Sequence, residues 1–182
     1  MEKESSRTAL ILIGFAFFVT GFEFALLCIV VPRYVHDVSN AVLTVSLIFS
    51  LSSITVFIGQ NLFGFLFDRT GTFWGYIAIS GLAFGTSLVF IPHVSAGMPL
   101  IVLLTATAFF QTALFPAAES YLTICYPLTK GHMLGKLFAF ESIGWSCGAL
   151  TAAVASLLVT ELTEIYAPLF YGGAALAGIM FL

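Results

Sequence analysis

The sequence predicts an all-α, polytopic membrane protein with six transmembrane helices. Its 182 residues are 60% hydrophobic and only 8% charged, whereas a soluble domain carries about 25% charged residues because its surface faces water. Six apolar windows are long enough to cross a hydrocarbon core about 30 Å thick, which takes about 20 helical residues. Lipid offers no hydrogen bonds, so each crossing has to be a helix that satisfies its own backbone.

The six windows form one transmembrane domain. They cover residues 8–31, 41–67, 72–91, 99–126, 134–160 and 165–182. Short segments rich in proline, glycine or charge separate them, at residues 32–33, 68–71, 92–93, 127–131 and 161–164. The first window is too long for the apolar core of a signal peptide, so it is interpreted as a span.

Composition excludes several classes of function. The net charge of −3 is small and scattered, which argues against a nucleic-acid or acidic-substrate partner. Cys28, Cys125 and Cys147 lie in apolar windows at spacings that match neither a metal site nor a disulfide framework. We therefore expect no metal and no cofactor.

Basic residues predict the orientation, because loops rich in lysine and arginine stay in the cytoplasm. With a cytoplasmic amino terminus, only Arg33 of the 6 basic residues falls on the outer side. Those on the inner side are Lys3, Arg7, Arg69, Lys130 and Lys136. The expected protein is a multi-pass protein of the cell membrane with both termini in the cytoplasm.

Polar residues are distributed unevenly among the spans. The third and sixth spans contain no ionisable group except tyrosine, whereas the other four contain Glu23, Gln60, Asn61, Gln111, Glu119 and Glu141. A charge within the membrane is costly and faces protein or water. Spans one, two, four and five are therefore expected inside and spans three and six at the periphery. A span without ionisable groups other than tyrosine thus recurs at every third position, which predicts two three-helix repeats of inverted topology.

The turn after the second span contains a specific string of residues. Gly64, Asp68, Arg69 and Gly71 stand in the order G-x-x-x-D-R-x-G. Gly71 can adopt a positive φ, Gly64 permits close backbone approach, and Asp68 is an anion suited to a helix N-terminus. On chemistry alone, an ordinary polar turn explains the string equally well.

The string also resembles the loop between helices two and three of the major facilitator superfamily, G-x-x-x-D-R-x-G-R-[RK]. Thr72 and Phe73 replace its two terminal basic residues. In that family the loop latches the two halves of a transporter in the outward-open state. The resemblance implies this role for Asp68 and Arg69.

Glu23 in the first span is a candidate proton site. It is followed nine residues later by Pro32, a spacing similar to that in proton-coupled drug exporters of the superfamily. Burial disfavours the charged form of a carboxyl group, which suits proton exchange. The alternative is a neutral carboxyl group hydrogen-bonded to a neighbouring helix.

The fourth span resembles its counterpart in many facilitator proteins through Gln111 and residues 115–118, Phe-Pro-Ala-Ala. Ala108 stands where an arginine assists proton transfer in the family. Gln111 is a candidate substrate contact or a link between helices. Glu119 lies nearer the cytoplasmic end, where it is expected either to pair with Arg69 or to contact substrate.

The fifth span carries Gly144, Gly148 and Ala152 at four-residue spacing, a stripe that permits close helix packing. It resembles a degenerate form of the glycine-rich fifth-helix motif of the antiporters, with Ala149 in place of the proline. Glu141 shares a face with this stripe. It is expected either to line a cavity or to neutralise loop cations.

Together these resemblances imply the amino-terminal half of a major facilitator transporter, closest in motif to proton-coupled multidrug exporters. It would move a small molecule across the bilayer by alternating access with protons as the coupling ion. The alternatives are a non-transporting membrane subunit or binding protein, or an intramembrane enzyme. Ser87 offers a nucleophile, but no histidine lies at membrane depth to activate it, so we expect no enzyme.

A single half leaves Glu23 and Gln111 facing a groove without an opposite wall, and unsatisfied polar groups in lipid cost several kcal/mol each. The chain is therefore expected to be a fragment lacking a carboxyl-terminal half, or a half that pairs as a homodimer.

The predicted orientation can be tested with reporter fusions. A reporter fused after Pro92 should lie on the outer side of the membrane, and one fused after Thr70 on the inner side, because the basic residues concentrate there. The opposite pattern would overturn the orientation and the loop assignment together.

Overall fold

The fold is all-α, in agreement with the sequence. A computed structural model describes residues 2–39, 42–95, 97–158 and 162–179, and no strand occurs within these ranges. The helices are α1 (Glu2–Ser39), α2 (Val42–Thr70), α3 (Phe73–Phe90), α4 (Met98–Gln111), α5 (Leu114–Cys125), α6 (Lys130–Leu158) and α7 (Leu162–Ile179). A 3-10 turn at Ile91–His93 follows α3.

Five stretches of the described residues are long and apolar enough to cross a membrane. They are Ala9–Asp37, Val42–Thr70, Phe73–His93, Met98–Cys125 and Lys130–Ala155. Predicted spans one to five correspond to them. Helix α7 begins at Leu162, three residues before the predicted sixth span and within the predicted break, and continues into that span. Residues 41, 159–160 and 180–182, at the ends of predicted spans two, five and six, lie outside the described residues.

The first and fourth spans differ most from the sequence prediction. The first continues through Pro32 to Ser39 instead of ending at residue 31, because proline removes only one helical hydrogen bond and neighbouring groups in a membrane bundle compensate. The predicted fourth span consists of two helices, since residues 112–113 form a turn between α4 and α5.

Helix pairing follows the predicted repeats. The most extensive contacts join α1 to α6, α2 to α4 and α5, and α3 to α7. In span numbers, these contacts join span one to five, two to four, and three to six. If span one is exchanged with four, two with five, and three with six, the contact between one and five becomes that between four and two. The contact between three and six is unchanged by the exchange. Because consecutive spans alternate in direction, two repeats related in this way have inverted topology.

The contact between α1 and α6 depends on glycine. A Cβ atom built on Gly148 would lie 2.9 Å from the Cβ of Ala25, and one built on Gly144 would lie 3.0 Å from the Cα of Phe18. On the other helix, a Cβ atom built on Gly21 would lie 3.0 Å from the backbone nitrogen of Trp145. Larger side chains at these positions would force the two helices apart.

Burial differs from the expected division into inner and outer helices. In the most apolar stretch of each span, 56% of residues are buried in α1 and 44% in α3, but only 11% in α2 and 22% in α6. The second and fifth spans, expected inside, therefore turn broad surfaces away from the described bundle. A polar residue constrains one face of a helix only, so the presence of such residues does not predict how much of a helix is buried.

We expect Gly144→Ala to destabilise the protein by about 1–3 kcal/mol, the usual cost of overpacking. The measurement is the midpoint of thermal unfolding in detergent. Gly135→Ala is the matched control, since Gly135 lies in the same helix and nothing approaches within 4 Å of its added Cβ. Equal midpoints for the two variants would contradict the proposed close contact.

Candidate functional site

A cavity of about 400 Å³ lies between α1, α2, α4–α5 and α6. Its polar lining consists of Ser52, Ser53, Gln60, Gln111, Thr112 and Glu141, and its apolar lining of Phe24, Phe49, Val56, Ala108 and Phe115. A smaller pocket of about 60 Å³ shares Phe24 and Gln111 with it and extends towards Cys28 and Val31. Amide, hydroxyl and carboxyl groups thus converge on a mostly apolar site, the usual composition of a small-molecule pocket.

The break between α4 and α5 forms part of this cavity wall. Pro116 has no amide hydrogen, so it cannot donate to the carbonyl of Thr112 as a residue of a continuous helix would. The backbone tightens there: the amide of Ala113 donates to the carbonyl of Phe110 at 3.1 Å. The Ser80 hydroxyl of α3 donates to the carbonyl of Gln111 at 3.1 Å.

Gln111 is the most strongly buried amide in the lining. Only 9% of the residue is exposed, and its side-chain amide has no hydrogen-bond partner among the described residues. It borders both the larger cavity and the smaller pocket. Its donor and acceptor are therefore available to a bound molecule.

Glu23 is close to the cavity but does not line it. The residue is fully buried, and neither carboxyl oxygen has a hydrogen-bond partner within the described part of the chain. Its neighbour Phe24 lines the cavity in its place. We expected Glu23 to face a polar groove, but the residue is fully buried in the helix bundle.

Glu141 lines the cavity, one of the two placements expected for it. It is half-buried on α6, which brings a carboxyl group to the wall that faces Gln60 and Gln111.

Glu119 lies apart from the cavity. Its Oε1 atom is 3.2 Å from Nζ of Lys130, so it pairs with the first residue of α6 instead of with Arg69. The guanidinium group of Arg69 instead stacks over the Phe65 ring, 4.2 Å from its centroid. The ion pair links α5 to α6, whereas the contact of Arg69 with Phe65 lies within α2.

The loop between α2 and α3 has the predicted turn chemistry. Gly71 has a φ of 62°, and its amide donates to the carbonyl of Phe67 at 2.8 Å, which ends α2. A Cβ atom built on Gly64 would lie 3.7 Å from the Cβ of Pro116, an ordinary van der Waals distance, so the packing of α2 against α5 does not require the close approach expected at Gly64. Asp68 is exposed and forms no ion pair within the described ranges.

Several residues of the cavity lining were not among the candidates predicted from the sequence. Phe49, Ser52, Ser53 and Val56 precede Gln60 at helical spacing and line the cavity with it. The recurrence of small polar residues on one face of an apolar helix is the signal that was available. Nothing in the sequence indicated Ser80, because its role depends on a carbonyl group of another helix.

Comparison with models of known protein families shows a match over most of the chain. A family model described as Major Facilitator Superfamily matches residues 13–182. No curated protein and no solved structure matches the chain.

Proposed function

The chain belongs to the major facilitator superfamily, and from this we propose that it binds a small molecule in the cavity and moves it across the membrane by alternating access coupled to protons. The observation that carries the proposal is the position of Gln111 at the wall of a cavity of about 400 Å³, where its side-chain amide has no hydrogen-bond partner among the described residues. A ligand in the cavity can therefore accept from and donate to this amide.

The lining indicates what such a ligand would be. Phe24, Phe49 and Phe115 offer aromatic surface, while Glu141 offers the one carboxyl group of the lining. A small, largely apolar molecule with a hydrogen-bonding group and a basic group would satisfy both Gln111 and Glu141.

Glu23 is the proposed proton site. A charged carboxylate is poorly tolerated where no partner is available, and Glu23 has none among the described residues. Opening of the bundle to water would let the group exchange a proton, and closing would favour its neutral form. Its position beside Phe24 would connect this exchange to the occupancy of the cavity.

The experiment is reconstitution of the assembled transporter into liposomes that contain a pH-sensitive dye. A thermal-shift screen of apolar amines and their neutral analogues first identifies a ligand, whose addition should then drive proton movement. Gln111→Leu should weaken binding up to about tenfold, the upper range for one net hydrogen bond. Glu23→Gln should fold normally but abolish proton-driven transport.

The two variants separate the proposed roles. Transport with full pH dependence in Glu23→Gln would make that residue structural. Ligand binding without flux in the unsubstituted protein would favour a non-transporting binding protein instead.

We also propose that Asp68 and Arg69 act as a conformational latch. Asp68 is exposed and has no ion-pair partner within the described residues, so its carboxylate is available to contact another unit. Asp68→Asn should slow exchange of substrate across the membrane more than it weakens binding. Glu119→Gln is the matched control, because it removes the same charge from a carboxylate paired within this chain. Weakened binding with unchanged exchange would contradict the latch.

A second six-helix unit is proposed to cover α2 and α6, either as a carboxyl-terminal half or as a second copy. These helices are the least buried spans, and both contribute to the cavity wall. Packing them against another unit would close the cavity to lipid and bury their polar groups.

A photo-crosslinker tests this pairing in membranes of the source cell. p-Benzoylphenylalanine in place of Phe57 on α2, which is 70% exposed, should form a protein adduct whose mass identifies the partner. In place of Leu82 on α3, also exposed, it should react with lipid only. Adducts with lipid alone at Phe57 would contradict the proposal.

A further inference from the structure

We infer that Ser80 is a positioning residue for Gln111: it holds the break between α4 and α5 in the conformation that directs residue 111 into the cavity. Only the consequence for transport rests on the proposed function. The positioning role itself rests on the geometry of the break between α4 and α5.

The break leaves backbone groups to be satisfied by other partners. Residues 112–113 form a turn, and Pro116 supplies no amide hydrogen to the preceding turn. In an apolar environment each unsatisfied carbonyl is costly, so a broken helix persists only where neighbouring groups compensate. The carbonyl that Pro116 leaves without its helical donor is that of Thr112. Ser80 acts on the carbonyl before it: its hydroxyl donates to the Gln111 carbonyl at 3.1 Å from a different helix, which ties the break to α3.

The bond is buried and fixes one residue of the turn region. Ser80 is fully buried, so water does not compete for its hydroxyl group. Thr112, the next residue, directs its own hydroxyl to the Phe109 carbonyl at 2.7 Å within the same chain segment. Ser80 is therefore the only side chain of another helix that hydrogen-bonds to residues 109–113 among those the structure describes.

The consequence is recognition. Gln111 lines both pockets with an unpartnered amide, and its direction follows from the backbone at that position. Because Ser80 contacts the carbonyl and not the amide, it controls the orientation of whatever side chain occupies position 111. That property allows the inference to be tested without a known substrate.

The test uses a cysteine reporter at the site. In a background with Cys28, Cys125 and Cys147 replaced by alanine, Gln111→Cys is labelled with the small thiol reagent methanethiosulfonate-ethylammonium. Adding Ser80→Ala should lower the labelling rate about threefold or more, the size expected for one net hydrogen bond. An unchanged rate overturns the inference.

Ser87 provides the matched control. It lies two helical turns from Ser80, is equally buried, and its hydroxyl donates to Phe84 of its own helix at 2.8 Å. Ser87→Ala should leave the labelling rate at position 111 unchanged. An equal decrease with both alanine variants would show a general packing effect and overturn the inference.

Two further measurements distinguish positioning from loss of structure. A second reporter, Ser52→Cys on the α2 wall of the cavity, should react at the same rate with and without Ser80→Ala. Ser80→Thr keeps a hydroxyl donor without adding a second thiol, so it should give a faster rate at position 111 than Ser80→Ala does. A parallel decrease at both reporters, or a threonine variant no better than alanine, contradicts the role assigned to Ser80. Labelling requires no transport, so these results do not depend on the proposed activity.

Discussion

The constraint on which the structure depends is the absence of hydrogen-bonding partners in lipid. Every backbone group has to be satisfied within the protein, and unbroken helices such as α2 and α6 do this alone. The predicted fourth span does not, because Pro116 interrupts it. The interruption lies inside the bundle, where Ser80 reaches a carbonyl group at the break. Irregular backbone and the most buried amide of the cavity therefore occur at the same place.

Close packing of α1 against α6 makes the other half of the cavity possible. Gly21, Gly144 and Gly148 let the two backbones approach until no Cβ atom fits between them. Glu141, one turn from Gly144, is thereby held beside α1 and faces the cavity. Glu23 on α1 is fully buried and does not line the cavity, so the two carboxyl groups differ in their access to a ligand although both lie on spans that contact each other.

The exposed surfaces of α2 and α6 agree with the repeat symmetry. These helices occupy equivalent positions in the two three-helix repeats, and both are the least buried spans. In contrast, α3 and α7 pack against each other and turn one buried face inward. The relation between the two repeats thus explains why α2 and α6 are buried to a similarly low extent. The polar residues that each helix contains do not explain it.

The sequence by itself determined the helical class, the five described stretches that are long and apolar enough to cross a membrane, and the turn at Gly71. These follow from local chemistry: lipid selects apolar helices, and glycine tolerates a positive φ. The sequence also identified Gln111 and Glu141, since polar residues in apolar spans are conspicuous. It did not determine that Glu23 is directed away from the cavity, that Glu119 pairs with Lys130, or that Ser80 supports the helix break. Only the tertiary structure decided these, because each depends on the rotation of one helix relative to another, and sequence periodicity does not specify that rotation.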